Sequence, residues 1–198
     1  MTSIARKLKC ITSAPISLRC TRRSSAGHSQ VRAPWPGVNS TPDMSIRFAS
    51  SIDSEALSVL VLEASQSVRD SDFTKEGWDL LKSTNTPQAF EKRFETKNYF
   101  CLVFEVDREI VGYLAMIDFE KIDHMFVLPK HRNNGVCKKL WSKAKEFCVE
   151  SGYGMYYWVR SSSYAEPVYR SFGFRPKGER KSSNGISFQF MELGKNES

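Results

Sequence analysis

The chain has 198 residues, 40% of them hydrophobic, and a formal net charge of +7. That length holds one domain with a full apolar core plus a tail, and excludes a second domain of ordinary size. Seven of the 29 basic residues (Arg6, Lys7, Lys9, Arg19, Arg22, Arg23, Arg32) lie in residues 1–42, which hold no acid, leaving 22 basic against 22 acidic residues from Asp43 on. The remainder is neutral, so a nucleic-acid-binding core is not expected.

Residues 1–43 are rich in Arg, Ser and Pro and lack hydrophobic periodicity, which predicts a disordered basic extension. Its composition fits a mitochondrial or plastid presequence, which would place the protein in the mitochondrial matrix. The competing reading makes Met44 the natural start, since "MSIRFAS" enters a strand-like pattern at once; the location expected is then cytoplasmic. Residues 44–198 form the predicted domain.

Within it, residues 46–49 read as a strand, followed by an amphipathic helix with Ala56, Leu57, Leu60, Val61 and Ala64 at helical spacing. Two short helices follow, one opened by Thr74 and one capped by Thr86 with Pro87 in its first turn and Phe90 and Phe94 on one face. "YFCLVFEV" (99–106) and "IVGYLAMI" (110–117) form a hairpin around Asp107, Arg108 and Glu109, and "KIDHMFVL" (121–128) is a third strand. A helix from about Gly135 to Glu150 turns Val136, Leu140, Trp141, Ala144, Phe147 and Cys148 inward, and Gly152 and Gly154 end it. A strand at 155–159, a short helix at 164–172 and a strand at 186–193 complete a mixed α/β sheet.

The five cysteines are odd in number and show neither CxxC nor His-spaced ligand patterns, which favours free thiols in a reducing compartment and no metal site. No run of 18 apolar residues is present, so no membrane association is expected.

The segment "LPKHRNNGVCKKLW" (128–141) carries the clearest chemical signal. A strand entering a glycine-bearing turn and then a helix aims several backbone N–H groups at one point, where the helix dipole adds partial positive charge. Such a point binds phosphate. Asn133 and Asn134 tolerate turn conformations, Gly135 lets a ligand approach the backbone, and Lys130, Arg132, Lys138 and Lys139 supply surface charge. By itself the pattern is also that of a simple helix cap, for it lacks the Lys-Ser/Thr ending of a P-loop and the GxGxxG of a dinucleotide fold.

"VLPKHRNNGVC" resembles the coenzyme A pyrophosphate loop of the GNAT superfamily of N-acetyltransferases, V-x-P-x-x-[QR]-x-x-G-x-[GA], with Val127, Pro129, Arg132 and Gly135 matching and Cys137 departing. "AEPVYRSFGF" (165–174) resembles that family's late motif A-x-x-x-Y-x-x-x-G-F. The tail "NGISFQFMEL" and the segment 69–78 look like a prokaryotic branch of unassigned substrate. The resemblance covers roughly residues 44–193. It implies a mixed, mainly antiparallel sheet of about six to seven strands with helices on both faces.

It further implies direct acetyl transfer from acetyl-CoA, as co-substrate, to a primary amine. Tyr169 would stand by the thioester sulfur, with ordinary core packing beside Phe172 and Phe174 as the other reading. The glutamate that many relatives use as base corresponds to Lys121, so Asp123 is the expected base, with Glu120, His124 or water as alternatives. Coenzyme A contacts are expected from Phe126, Val127, Leu128, Arg132, Asn133, Asn134, Gly135, Val136, Cys137 and Lys138, and from Ser162 in a slot often held by asparagine. Acceptor contacts are expected from the early helices: Arg69, Asp72, Phe73 and Trp78, the last equally readable as core. The acceptor would be a small-molecule or peptide amine, on a monomer or homodimer. The alternatives are a non-catalytic CoA-binding module and an acetyltransferase of an RNA- or ribosome-associated substrate.

Overall fold

The computed structural model describes residues 42–194, so the expectations for the extension lie almost entirely outside the described residues. Strand β1 (Met44–Phe48) pairs antiparallel with β2 (Tyr99–Val106). β2 turns into β3 (Glu109–Ile117) through Asp107 and Arg108, left-handed at φ 50° and 69°. Two successive left-handed residues make the mirror-image turn whose twist suits paired strands. The hairpin therefore closes over two residues rather than three, and Glu109 already faces Val106.

β4 (Lys121–Val127) adds antiparallel to β3, and β5 (Tyr156–Ser161) runs parallel to β4. Two short strands, β6 (Arg175–Pro176) and β7 (Lys181–Ser183), pair with β8 (Ile186–Gly194), which lies antiparallel to β5. The order is β1-β2-β3-β4-β5-β8-β6, with β7 on β8. The eight strands among the described residues exceed the six to seven expected because β6 and β7, two and three residues long, are too short to show a period of two.

The connection from β1 to β2 holds α1 (Ser54–Ser65), the four-residue α2 (Arg69–Asp72), α3 (Lys75–Thr84) and α4 (Pro87–Phe94). The caps fall where expected: Thr74 Oγ1 accepts from Gly77 N at 3.3 Å and Thr86 Oγ1 from Ala89 N at 3.2 Å. The remaining helices are α5 (Val136–Glu150) and α6 (Glu166–Ser171).

Helices cover both faces of the sheet. On one, Val136, Leu140, Trp141, Ala144 and Cys148 of α5 pack on Leu102, Phe104, Leu114, Met116 and Ile122. On the other, Leu57, Leu60 and Val61 of α1, Trp78 and Leu81 of α3 and Phe90 of α4 pack on Cys101, Val103, Tyr113 and Ala115. A sheet covered on both sides explains why the middle strands read as continuous apolar runs rather than alternating ones. Ala56, expected on the inner stripe of α1, is exposed; Ser54 and Ser58 are buried instead.

Candidate active site

β4 and β5 share only two register pairs, Lys121 with Trp158 and Ile122 with Val159, and then separate. Past the divergence β4 leads through the 128–135 loop to α5. Asn133 and Gly135 are left-handed, at φ 62° and 74°, and Gly135 caps α5. The space a Cβ would fill at Gly135 is open, with nothing within 4 Å, so the glycine leaves the first-turn amides approachable. No acidic side chain sits in that turn to compete for them.

A cavity of about 280 Å³ opens here, bounded by the end of β4, the loop, the first turn of α5, the end of α1 and α6. Phe126, Val127, Arg132, Asn133, Gly135, Val136, Cys137, Lys138 and Ser162, all expected to hold coenzyme A, line it. Leu128 and Asn134 do not: Leu128 packs against both cores and donates its N–H to Val111 O at 2.9 Å, and Asn134 is exposed at the loop tip. Val127 and Phe126 belong to opposite cores, so the cavity touches β4 residues from both faces of the sheet.

Arg132 lines this cavity with its guanidinium already engaged. Nε donates to Val127 O at 3.2 Å, Nη1 to Ser67 Oγ at 2.9 Å and Nη2 to Ala64 O at 2.7 Å, with Tyr164 beneath it. It ties the loop to the C-terminal end of α1, where a cation suits the helix dipole. The expected supply of charge at this point therefore falls chiefly to Lys138, since Lys139 lies over the Phe104 ring and Lys130 nears Glu109. Arg132→Met should cost about 2 kcal/mol of stability, because three hydrogen bonds from one charged group are lost. Thermal denaturation measures this; an unchanged Tm would make Arg132 a free surface charge.

Between Ala115 and Met116 the β3–β4 register slips: Ala115 faces His124 and Met116 faces Ile122, leaving Asp123 unpaired in a bulge. The bulge puts Asp123 and His124 on one face, where a regular strand would have opposed them. Lys121 Nζ lies 2.5 Å from Asp123 Oδ1. Burial pushes the Asp123 carboxyl up, but His124, which is positive only in acid, the hydrogen bond and charge of Lys121, and the charge of Arg93 outweigh this and hold it below the usual value.

Tyr113, fully buried, places its hydroxyl 2.9 Å from His124 Nδ1. The two groups share one hydrogen bond, with the phenol donating if the imidazole proton sits on Nε2 and accepting if it sits on Nδ1. Burial lowers the His124 pKa to about 4, so the ring is neutral at pH 7. Of the two candidates in the bulge, neither lines the cavity; Asp123 keeps a lowered pKa while His124, fully buried, is neutral at pH 7.

A family model described as an acetyltransferase (GNAT) domain matches residues 69–195. The chain belongs to the GNAT acetyltransferase family. It is accordingly an acyl-CoA-dependent acetyltransferase. No curated protein matches it. Solved structures share its fold at low identity. One is a GCN5-related N-acetyltransferase from Rhodopseudomonas palustris, 18% identical over 80% of this chain and 99% of that one, with a TM-score of 0.66. Another is the PaiA N-acetyltransferase of Thermoplasma acidophilum in complex with coenzyme A, 15% identical over 77% and 99%, at 0.65. The ribosomal-protein-S18-alanine N-acetyltransferase of Escherichia coli is 14% identical over 76% and 93%, at 0.54.

In this GNAT chain Tyr169 stands behind the cavity wall rather than in it. It is 4% exposed, its ring edge-on to Phe172 and Phe174 at 6.4 and 5.5 Å. Burial, and then the charge of a Cys137 thiolate, raise its pKa above the ordinary phenol value. Cys137, the departure from the family loop, lines the cavity, and burial raises its pKa too.

The expected acceptor residues gather elsewhere. The Arg69 guanidinium lies 5.3 Å from the Trp78 ring centroid, Phe73 packs edge-on to Trp78 at 5.7 Å, and Trp78 is 8% exposed within the second core. None of the three lines the cavity. Asp72, 3% exposed, accepts from Ser163 N and Oγ at 3.1 and 2.6 Å, tying α2 to the loop that carries Ser162. Ser162 Oγ in turn accepts from Ala165 N at 3.1 Å and starts α6. Sequence reasoning missed His131, Tyr164, Val168 and Phe172 as cavity residues, and Ala64 and Val68 of the distant first helical segment. The i, i+4 spacing of Val168 and Phe172 on the short helix "YAEPVYRSF" is the available signal for those two; nothing local points to Ala64.

Proposed function

We propose that this acetyltransferase moves the acetyl group of acetyl-CoA onto a primary amine by direct attack. The observation that carries the reading is the cavity built on the open N-terminus of α5 at the end of β4, beyond the point where β4 and β5 separate. Coenzyme A in the Thermoplasma PaiA structure, on the same fold, supports it. The first-turn amides and Lys138 would take the pyrophosphate, while Phe126, Val127 and Ser162 would border the pantetheine.

Asp123 would accept the ammonium proton, through water where the amine stands off from it. The freed nitrogen pair attacks the thioester carbonyl, the C–N bond forms, the C–S bond breaks, and sulfur leaves with its electron pair. Tyr169 does not line the cavity, so it would donate a hydrogen bond to that sulfur only where the bound thioester reaches past the lining side chains to its hydroxyl. An ordinary phenol near pKa 10 is already a weaker acid than a thiol near 8.5, by roughly 2 kcal/mol, and burial weakens Tyr169 further. Hydrogen-bond donation rather than full proton transfer is its role.

The test is calorimetric titration of acetyl-CoA, followed by release of CoA thiol with a panel of amines. Saturable binding with acetyl-CoA consumed is expected; absence of binding would reduce the loop to a helix cap. Asp123→Asn should lower kcat at pH 7 by about 100-fold, the lower range for a positioned base. The deficit should shrink toward pH 10, where the amine is already free. The depressed Asp123 pKa also favours the folded state above the unfolded value near 3.9, a contribution lost as pH falls through the lower folded value. Asp123 is therefore ionised throughout the working range and should add no acid limb near pH 6. A deficit independent of pH would remove Asp123 from proton transfer.

A further inference from the structure

On the face shared by Asp123 and Lys121, β5 presents Trp158 and Arg160, and β8 presents Phe188 and Phe190. The order of inner and outer residues fixes this: Tyr157, Val159 and Met191 are buried in the α5 core, so their neighbours in sequence point the other way. Trp158 stacks on Phe190 at 5.5 Å, and the Arg160 guanidinium lies 5.0 Å from the Phe188 ring centroid. These rings are half-buried and Arg160 is exposed, so they form an open aromatic shelf bearing one cation.

Arg160 is the first β5 residue beyond the last β4–β5 pair, and Asp123 is the first on β4. The two therefore face each other across the mouth of the gap. Asp123 has Lys121 as its counterion, whereas none of the ion pairs among the described residues includes Arg160. A planar guanidinium seated on a ring, without a carboxylate of its own, is preorganised to take one in a two-pronged hydrogen bond.

We infer that Arg160 determines acceptor specificity by binding a carboxylate on the acceptor, and that the acceptor is an amine with a carboxylate a few bonds away, as in a free amino acid. The amine is then directed to Asp123 and the carboxylate to Arg160. A polycationic acceptor would instead bring like charges onto Lys121 and Arg160. The inference rests on the reading above, in which the amine meets the thioester on the Asp123 side of the gap.

The experiment is calorimetry of the full chain saturated with CoA, titrated with the common amino acids and, in parallel, their carboxamides. At least one acid should bind tenfold or more tightly than its amide. Arg160→Gln should abolish that preference and Arg160→Lys keep part of it, with CoA affinity unchanged in both. Amides that bind as well as acids across the panel, or a preference that survives in Arg160→Gln, would overturn the inference. Failure of the wild-type chain to bind acetyl-CoA counts against the proposed function instead; the acid and amide titrations of the CoA-free chain then decide the role of Arg160 separately.

Discussion

Tyr169→Phe is expected to lower kcat by about 100- to 1,000-fold while acetyl-CoA affinity stays within about threefold, the scale found when one donor to developing negative charge is removed. The substitution deletes a single oxygen and keeps the ring that packs on Phe172 and Phe174, so the fold should tolerate it. The hydroxyl is close enough to Cys137 for that side chain to affect its titration, and Cys137 faces the cavity. A donor at that depth has little competing water, which strengthens its effect on a leaving sulfur relative to the same group at the surface. Single-turnover acetyl transfer, with calorimetry for affinity, separates the two effects. A kcat loss below about threefold would assign Tyr169 to core packing, and a matching loss of affinity would make it a binding residue.

The parts of this fold legible in the sequence are those whose signal is local. Helix α5 shows because fifteen residues sample several turns of one apolar stripe, and α3 and α4 show because Thr74 and Thr86 sit three residues before the amides they cap. The approach to the cavity was legible for a similar reason: loop, glycine and first helical turn are contiguous. Arg132 reads from the sequence as a phosphate ligand alone, because the partners that also hold it, Ala64 and Ser67, are more than sixty residues away. The Asp72–Ser163 tie, across 91 residues, was invisible on the same ground. The bulge at Asp123 is a relation between two strands, so β4 alone carries no trace of it. Trp78 illustrates the ambiguity of large aromatics, for the same residue serves as core and stacks a guanidinium.

Gly77→Ala should destabilise the domain by about 3 kcal/mol, the upper part of the range for overpacking, and lower Tm by roughly 6–12 °C. In an exposed helix the same change would stabilise by up to about 1 kcal/mol, so the sign itself is diagnostic. Gly77 lies in the first turn of α3, where a Cβ would fall 2.1 Å from Gly185 O and 2.5 Å from Gly185 C. Those are backbone atoms, and Gly185 has no easy retreat: it is left-handed at φ 74°, and its carbonyl accepts from Thr74 N at 2.8 Å. Relief must come from lifting α3 off the β7–β8 turn, which strips the Phe73–Ile186 bridge as well. That contact holds α2 and α3 to the start of β8, the strand whose rings form the shelf beneath Arg160. The cavity at the start of α5 touches this region only through Val68 and the Asp72–Ser163 tie, so acetyl-CoA affinity measured well below the transition should change less than acceptor binding. A variant more stable than wild type would mean that α3 does not seat on the turn, and with it would go the coupling between the early helices and the acceptor shelf.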